Sequence, residues 1–243
     1  MKIDINSDVG EGVGNENLLM PYISSCNIAC GGHFGDEESV DKTIKLALKN
    51  KVKIGAHPSF PDKESFGRKL MQISSRELYK SLQQQISFFL ERLSFNNAKL
   101  HHIKPHGALY NAITVDKNLA ELFVDATQSF LKEVYLYVPY SSVIEKVAIA
   151  KNINIKYEAF ADRNYNNNLT LTSRADENAL ITDKISVCEH VLRMVTKNKV
   201  LTTSGIEQNI LADTFCIHGD TDNAIEIVKY LNQNLKKLGY TIG

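Results

Sequence analysis

Six clusters of carboxylate, imidazole and basic residues punctuate this chain, and each closes a mostly apolar, strand-like segment. They are DINSDVGE over residues 4–11, NIACGGHFGD over 27–36, GAHP over 55–58, KPHG over 104–107, EAFADR over 158–163 and HGD over 218–220. In the first, Asp4, Asp8 and Glu11 would repel one another in a shared pocket unless a cation pairs them or one is protonated. That combination, with Asn6 between them, suits general acid–base work or a cation site; capping of loop amides by Asp and Asn is the bland competitor. Four imidazoles, His33, His57, His106 and His218, end four different segments. Groups that titrate near pH ~6.5 shuttle protons or ligate metals. No H-E-x-x-H motif occurs, so a divalent metal site would have to be assembled in space, and the sequence assigns no metal ligand.

Basic residues complete the set. Lys104 pointing inward from a strand end needs a carboxylate, such as Asp4 or Glu158, or an anionic ligand. Arg68 and Arg163 follow loop clusters and suit a bidentate anion clamp, with Arg174 a weaker case. Cys26, Cys30, Cys188 and Cys216 are expected as reduced, buried thiols. Cys30 and His101 lie out of phase with the polar positions, and His190, inside a helical pattern, is expected on the surface.

Positioning so many groups in one place requires a particular scaffold. Strand patterns run over Lys2–Ser7, Ser25–Cys30, Lys53–His57, Leu100–Pro105, Val134–Val138, Ile153–Phe160 and Thr214–His218. Helical patterns lie between them at Glu37–Asn50, Ser75–Leu93, Asp116–Leu131, Ser141–Lys151, Thr182–Asn198 and Asp220–Leu238, with a short one at Glu16–Tyr22. This alternation predicts a parallel α/β sheet, and seven similar strands suit a barrel within one domain spanning residues 1–243. Chemistry in such folds sits at the carboxyl ends of the strands. Side chains alternate faces along a strand, so Asp4, Asn6 and Asp8 share a face. So do His102, Lys104 and His106; Glu158, Phe160 and Asp162; and Cys216, His218 and Asp220. A buried parallel strand ordinarily reads apolar throughout, so this polar face is expected to line a hydrated pocket at the barrel mouth.

Composition narrows the function classes. Lys plus Arg and Asp plus Glu number 28 each, which argues against nucleic acid or an anionic membrane as the main partner. No apolar run approaches the ~20 residues of a membrane span, and the opening residues lack a signal-peptide core, so the cytoplasm is the expected location. Neither G-x-G-x-x-G nor G-x-x-x-x-G-K-[ST] is present, so any use of ATP would proceed without those phosphate cradles.

Several ordered blocks together resemble the LamB/YcsF family, the A component of the prokaryotic ATP-dependent 5-oxoprolinase. They are residues 4–11, NIACGGH over 27–33, GAHPSFPD over 55–62, FGR over 66–68, KPHGALYN over 104–111, EAFADRNY over 158–165, Ser173–Arg174 and HGD over 218–220. Phe34 and Ser65 depart from the family's usual Ala and Gly. The resemblance implies a seven-stranded, TIM-barrel-like (β/α) barrel related to glycoside hydrolase and deacetylase barrels. It implies cleavage of 5-oxo-L-proline to L-glutamate with hydrolysis of ATP, in a complex with partner components B and C. Under it, Asp8 or His106 would activate the nucleophile, and Lys104 or Arg163 would hold the substrate carboxylate. His57 and His218 would stabilise charge or pass protons, with Glu158 in the same catalytic group. Asn6, Glu11, Asn27, His33, Arg68, Asp162, Arg163 and Asp220 would contact substrate. A metal-dependent carbohydrate deacetylase or amidohydrolase, and a non-catalytic substrate-binding protein of the complex, are the alternative classes.

Overall fold

The computed structural model describes residues 2–243. Seven parallel strands close into a barrel: β1 (Lys2–Val9), β2 (Ser25–Ala29), β3 (Lys53–His57), β4 (Leu100–Ile103), β5 (Tyr135–Pro139), β6 (Ile155–Phe160) and, after an antiparallel hairpin of β7 (Lys199–Leu201) and β8 (Glu207–Asn209), β9 (Thr214–Cys216). β9 pairs with both β6 and β1, which closes the ring. A two-residue strand, β10 (Thr241–Ile242), adds to the first residues of β1, below its pairing with β9. Helices surround the ring: α1 (Glu16–Leu19), α2 (Glu37–Asn50), α3 (Ser75–Phe95), α4 (Gly107–Ile113), α5 (Lys117–Thr127), α6 (Val143–Ala150), α7 (Lys184–Lys197) and α8 (Ala224–Lys237).

Local chemistry explains where the main helices begin. Asp36 and Ser74 each form a reciprocal capping box, with Ser39 and Glu77, and Asp116, Ser142 and Asp183 cap α5, α6 and α7. Such caps contribute about 1 kcal/mol each. The outward face of the strands is apolar: Ile3, Ile5, Val9, Ile28, Ile54, Ile103, Leu136, Val138 and Phe215 are all buried against the helix ring. Each large apolar side chain withdrawn from water contributes roughly 1.5–3 kcal/mol.

The inward face is polar well below the mouth. Asp4, Asn6, Ser25, Asn27, His102, Tyr137, Glu158 and Thr214 are all buried there. The hydrated pocket expected of this face is therefore only its upper part; the lower part is a buried, hydrogen-bonded core in place of the branched aliphatics that usually fill such barrels. Asp4 accepts from Ser25 Oγ (2.5 Å), Thr214 Oγ1 (2.6 Å) and Lys53 Nζ (3.2 Å). Lys53, not Lys104, is thus the basic partner of Asp4.

Two sequence readings are corrected. His190 is 9% exposed, because the α7 face that carries it packs inward, its ring lying against Tyr165 at 6.1 Å. The KPHGALY stretch turns straight into α4, with His106 as the N-cap residue and Gly107 in the left-handed region at φ 55°. The strand before it therefore ends at Ile103.

Gly55 is required by the polar core. An added Cβ there would lie 2.1 Å from Nε2 of His102, a fully buried ring stacked on Tyr137 at 3.9 Å. Gly55→Ala is expected to destabilise the chain by about 3 kcal/mol, at the upper end for overpacking, as read by urea unfolding. An unchanged midpoint would show that the ring can move.

Candidate active site

The strand ends converge on a cavity of about 660 Å³ at the mouth of the barrel. Asp8, Glu11, His57, Arg68, Lys104, His106, Glu158, Arg163, His218 and Asp220 all line it, together with Tyr110, Arg174 and the 169–175 loop. Asn6, Asn27, His33 and Asp162 do not: they are buried behind the wall and hold the residues that do.

Lys104 is the central cation. Its ammonium lies 2.9 Å from Asp8 Oδ1, 3.0 Å from Glu158 Oε1 and 3.0 Å from Cys216 Sγ, so three neighbours take its three protons. Burial alone would lower the Lys104 pKa, but Asp8, Cys216 and Glu158 outweigh it and raise it well above the ordinary lysine value. Burial likewise favours protonated Asp8, yet His57 and Lys104 hold its carboxyl well below the usual range. The ion pair with Glu158 uses up the charge that a substrate anion would need.

Behind this pair the polar core is directional. Asn27 Nδ2 donates to Asp8 Oδ1 (2.7 Å) and Asn6 Oδ1 (2.8 Å), and Asn6 Nδ2 donates to Glu158 Oε1 (2.9 Å) and Thr214 Oγ1 (2.8 Å). Asn27 Oδ1 then accepts from His102 Nε2 at 2.6 Å, which leaves His102 Nδ1 to accept from His101 at 2.9 Å. The donors of this chain run toward the carboxylates.

A second element is a histidine–carboxylate dyad. His218 Nδ1 lies 3.0 and 3.1 Å from the Asp162 oxygens, and Asp162 also accepts from the His218 amide (2.9 Å) and Thr221 Oγ1 (2.7 Å). The carboxylate fixes the proton on Nδ1 and leaves Nε2 as a base on the cavity side. Arg163 donates to the carbonyls of Ala179 (3.3 Å) and Thr172 (2.6 Å), and no carboxylate lies within ion-pair distance of it among the described residues. Burial and the nearby Arg174 bring its pKa down to about 10. Arg68, by contrast, is neutralised by Asp220 at the rim.

A third group surrounds Glu11. His33 Nε2 lies 2.8 Å from Glu11 Oε1, and the His33 ring stacks on His106 at 3.7 Å. Burial outweighs the Glu11 contact and pulls His33 down to about 4; His106 is lowered for the same reason.

This arrangement is built from the same sequence blocks that carry the resemblance, and residues 3–243 match the LamB/YcsF family. The chain belongs to the LamB/YcsF family. A relative from Shouchella clausii (strain KSM-K16), the A component of a 5-oxoprolinase, is 42% identical to it over 247 residues, spanning 99% of this chain and 97% of the relative. The counterpart in Staphylococcus haemolyticus (strain JCSC1435) is 39% identical over 247 residues, spanning 100% and 99%. The crystal structure of a lactam utilization protein from Thermus thermophilus superposes with a TM-score of 0.93 at 34% identity, over 100% of this chain and 99% of that one.

Within this LamB/YcsF chain, Phe34 and Ser65 are not among the residues that line the cavity. Phe34 lies over Gly12, where an added Cβ would come within 2.8 Å of the phenyl ring, and 6.3 Å from Phe66. The Ser65 amide donates to Asp62 Oδ1 at 2.9 Å. One functional candidate escapes the sequence pattern. The Tyr110 hydroxyl and Glu158 Oε2 are buried on the cavity wall outside good hydrogen-bond geometry, yet close enough that burial and the Glu158 carboxylate hold the Tyr110 pKa well above the ordinary tyrosine value. The available signal is spacing: once residues 107–113 are read as a helix, Tyr110 stands one turn after His106.

Proposed function

We propose that this chain is the A component of an ATP-dependent 5-oxoprolinase, which opens 5-oxo-L-proline to L-glutamate. The observation that carries the reading is the uncompensated Arg163 in the cavity that also holds the His218–Asp162 dyad, with the Tyr110 hydroxyl and Glu158 carboxylate adjacent on its wall but outside good hydrogen-bond geometry with each other. Buried polar groups without partners cost free energy unless a ligand satisfies them. A cyclic amide acid offers the complementary set: an N–H for the carboxylate oxygen, a carbonyl for the hydroxyl, and a carboxylate for the guanidinium. The names of the full-length relatives support the same substrate class.

Ring opening needs water to add to the lactam carbonyl carbon, the ring C–N bond to break, and the nitrogen to leave protonated. His218, oriented by Asp162, takes the proton from water and returns it to the departing nitrogen. Arg163, with Arg174 beside it, seats the α-carboxylate. ATP is co-substrate of the assembled enzyme: transfer of its γ-phosphoryl group to the lactam oxygen releases ADP and makes the ring carbon a better electrophile. After water adds, phosphate departs as the carboxyl group forms and the ring C–N bond breaks. Because the sequence has no common phosphate loop, the test belongs to the complex with partner components B and C.

The experiment is oxoproline-dependent ATP cleavage and glutamate release, measured with and without the partners. The expected result is glutamate from the full complex, with His218→Asn lowering kcat by about 10²–10⁴. A full complex that releases no glutamate would overturn the reading, and an unimpaired His218→Asn protein would remove the dyad from it.

A further inference from the structure

We infer that Asp8, Glu11, His57 and His106 form a site for one divalent transition-metal ion at the floor of the cavity. The argument begins with proton accounting. Backbone carbonyls only accept, so His57 Nδ1, 2.8 Å from the Lys104 carbonyl, and His106 Nε2, 2.9 Å from the Phe66 carbonyl, both carry protons. In the neutral rings His57 Nε2 and His106 Nδ1 are then bare lone pairs, yet they face each other at 2.9 Å. Asp8 Oδ2 lies 3.4 Å from His57 Nε2. Glu11 Oε1 lies 3.8 Å from His57 Nε2 and 3.3 Å from His106 Nδ1. The acceptor atoms of Asp8, His57 and His106 lie within 4.8 Å of one another and Glu11 Oε1 borders the two imidazoles, with no proton of their own to share.

Charge points the same way. Asp8, Glu11 and Glu158 are three carboxylates against one ammonium, Lys104, which leaves two negative charges; none of these side chains is more than 7% exposed. Uncompensated buried charge of this size is costly, and a divalent cation would cancel it. The geometry fits as well. Metal–ligand bonds of about 2.0–2.1 Å arranged tetrahedrally place neighbouring ligand atoms about 3.3 Å apart, and the separations of the two imidazole nitrogens from each other and from the carboxylate oxygens that border them, 2.9–3.8 Å, scatter around that value. The His57 and His106 rings meet edge-on at 86°, as rings converging on one ion can. Both are held by carbonyls on their outer nitrogens, the usual second contact of a metal-bound imidazole.

The neighbouring groups are less suitable. His33 lies parallel to His106, at 4°, so the two rings cannot aim at a common point; it holds Glu11 in place instead. Asp8, Cys216 and His218 also approach one another, but the Cys216 sulfur already takes a proton of the Lys104 ammonium at 3.0 Å. Two imidazole nitrogens and two carboxylate oxygens form a borderline donor set that suits zinc, cobalt, manganese or iron in the divalent state. All four residues line the cavity, so a further position on the ion is open to water or a carbonyl oxygen. Such an ion would acidify bound water and polarise an amide. That use rests on the lactam-opening reading; the binding itself does not.

The experiment separates the two by using the isolated full chain. Protein freed of metal with a chelator is titrated with cobalt(II) and, separately, zinc(II), following the visible spectrum, calorimetry and metal content after gel filtration. One equivalent is expected, with the d–d bands of a low-coordinate nitrogen/oxygen cobalt centre. His106→Ala and His57→Ala should each weaken binding by more than about 100-fold, beyond the 10–100-fold typical of second contacts. Circular dichroism identifies a variant that has lost its fold, and the wild-type cobalt spectrum stands without any variant. Absence of stoichiometric binding by the wild type, or undiminished binding in both folded variants, overturns the site. The activity of the complex, before and after chelation, then reports separately on the lactam reading.

Discussion

Asp8→Asn should abolish glutamate formation by the assembled complex, lowering kcat by about 10³-fold or more while leaving a folded chain. The native Oδ1 accepts from both Lys104 and Asn27, and Oδ2 faces His57. An amide has one acceptor oxygen, so its NH2 must point either at the Lys104 ammonium or at the imidazole. In the first case two donors collide; in the second the nitrogen occupies the place of a charged oxygen. Either outcome removes the negative charge that holds Lys104, and loss of a positioned acid–base or charged group costs about 10²–10⁴ in rate. Steady-state kinetics with partner components B and C decide this. Retention of more than about a tenth of the wild-type kcat would take Asp8 out of the chemistry.

Lys104→Met is the second large expectation, and it acts on stability as well as rate. The apolar stem is nearly preserved, but Asp8 and Glu158, both buried in the cavity wall, lose their shared cation. Breaking a buried pair by removing one partner costs about 3–5 kcal/mol, because the remaining charge is left without solvent or counter-ion. Adding Glu158→Gln should recover part of that stability and none of the activity, which a double-mutant cycle by urea unfolding would reveal. Additive losses in the cycle would mean that Lys104 and Glu158 do not act as a pair.

Much of this arrangement is legible in the amino-acid sequence. The seven barrel strands are readable because apolar and polar residues alternate in phase, and β1 and β3 begin at the residues the pattern indicates. The same phase places Asp8, His106, Glu158 and His218 on one pocket. What escapes is of two kinds. Short elements such as α4 and the β7–β8 hairpin carry too few residues for a period to register, and α4 takes Tyr110 with it. Depth is the other gap. Period two tells which face a residue occupies but not whether that face is wet. Asn6, Asn27, His33 and Asp162 are therefore expected to contact substrate, although they sit one layer behind the cavity wall. His190 shows the same limit on a helix, where one polar residue on an apolar face does not announce its burial.

The seam between β1 and β9 bears on how the chain folds. Asn6 reaches Thr214 across 208 residues, Ser7 bonds the Ile217 carbonyl across 210, and Asp4 takes Thr214 across 210. These bonds exist only once the last barrel strand has docked on the first. Contacts of such long range form late and slowly, after the local strand–helix units are in place. Until then the inward face of β1 is a row of hydrated carboxylates and amides with no fixed direction. Catalytic competence should therefore appear in the final kinetic phase of refolding, after most of the helical signal has returned, and opening of the last strand alone should extinguish it.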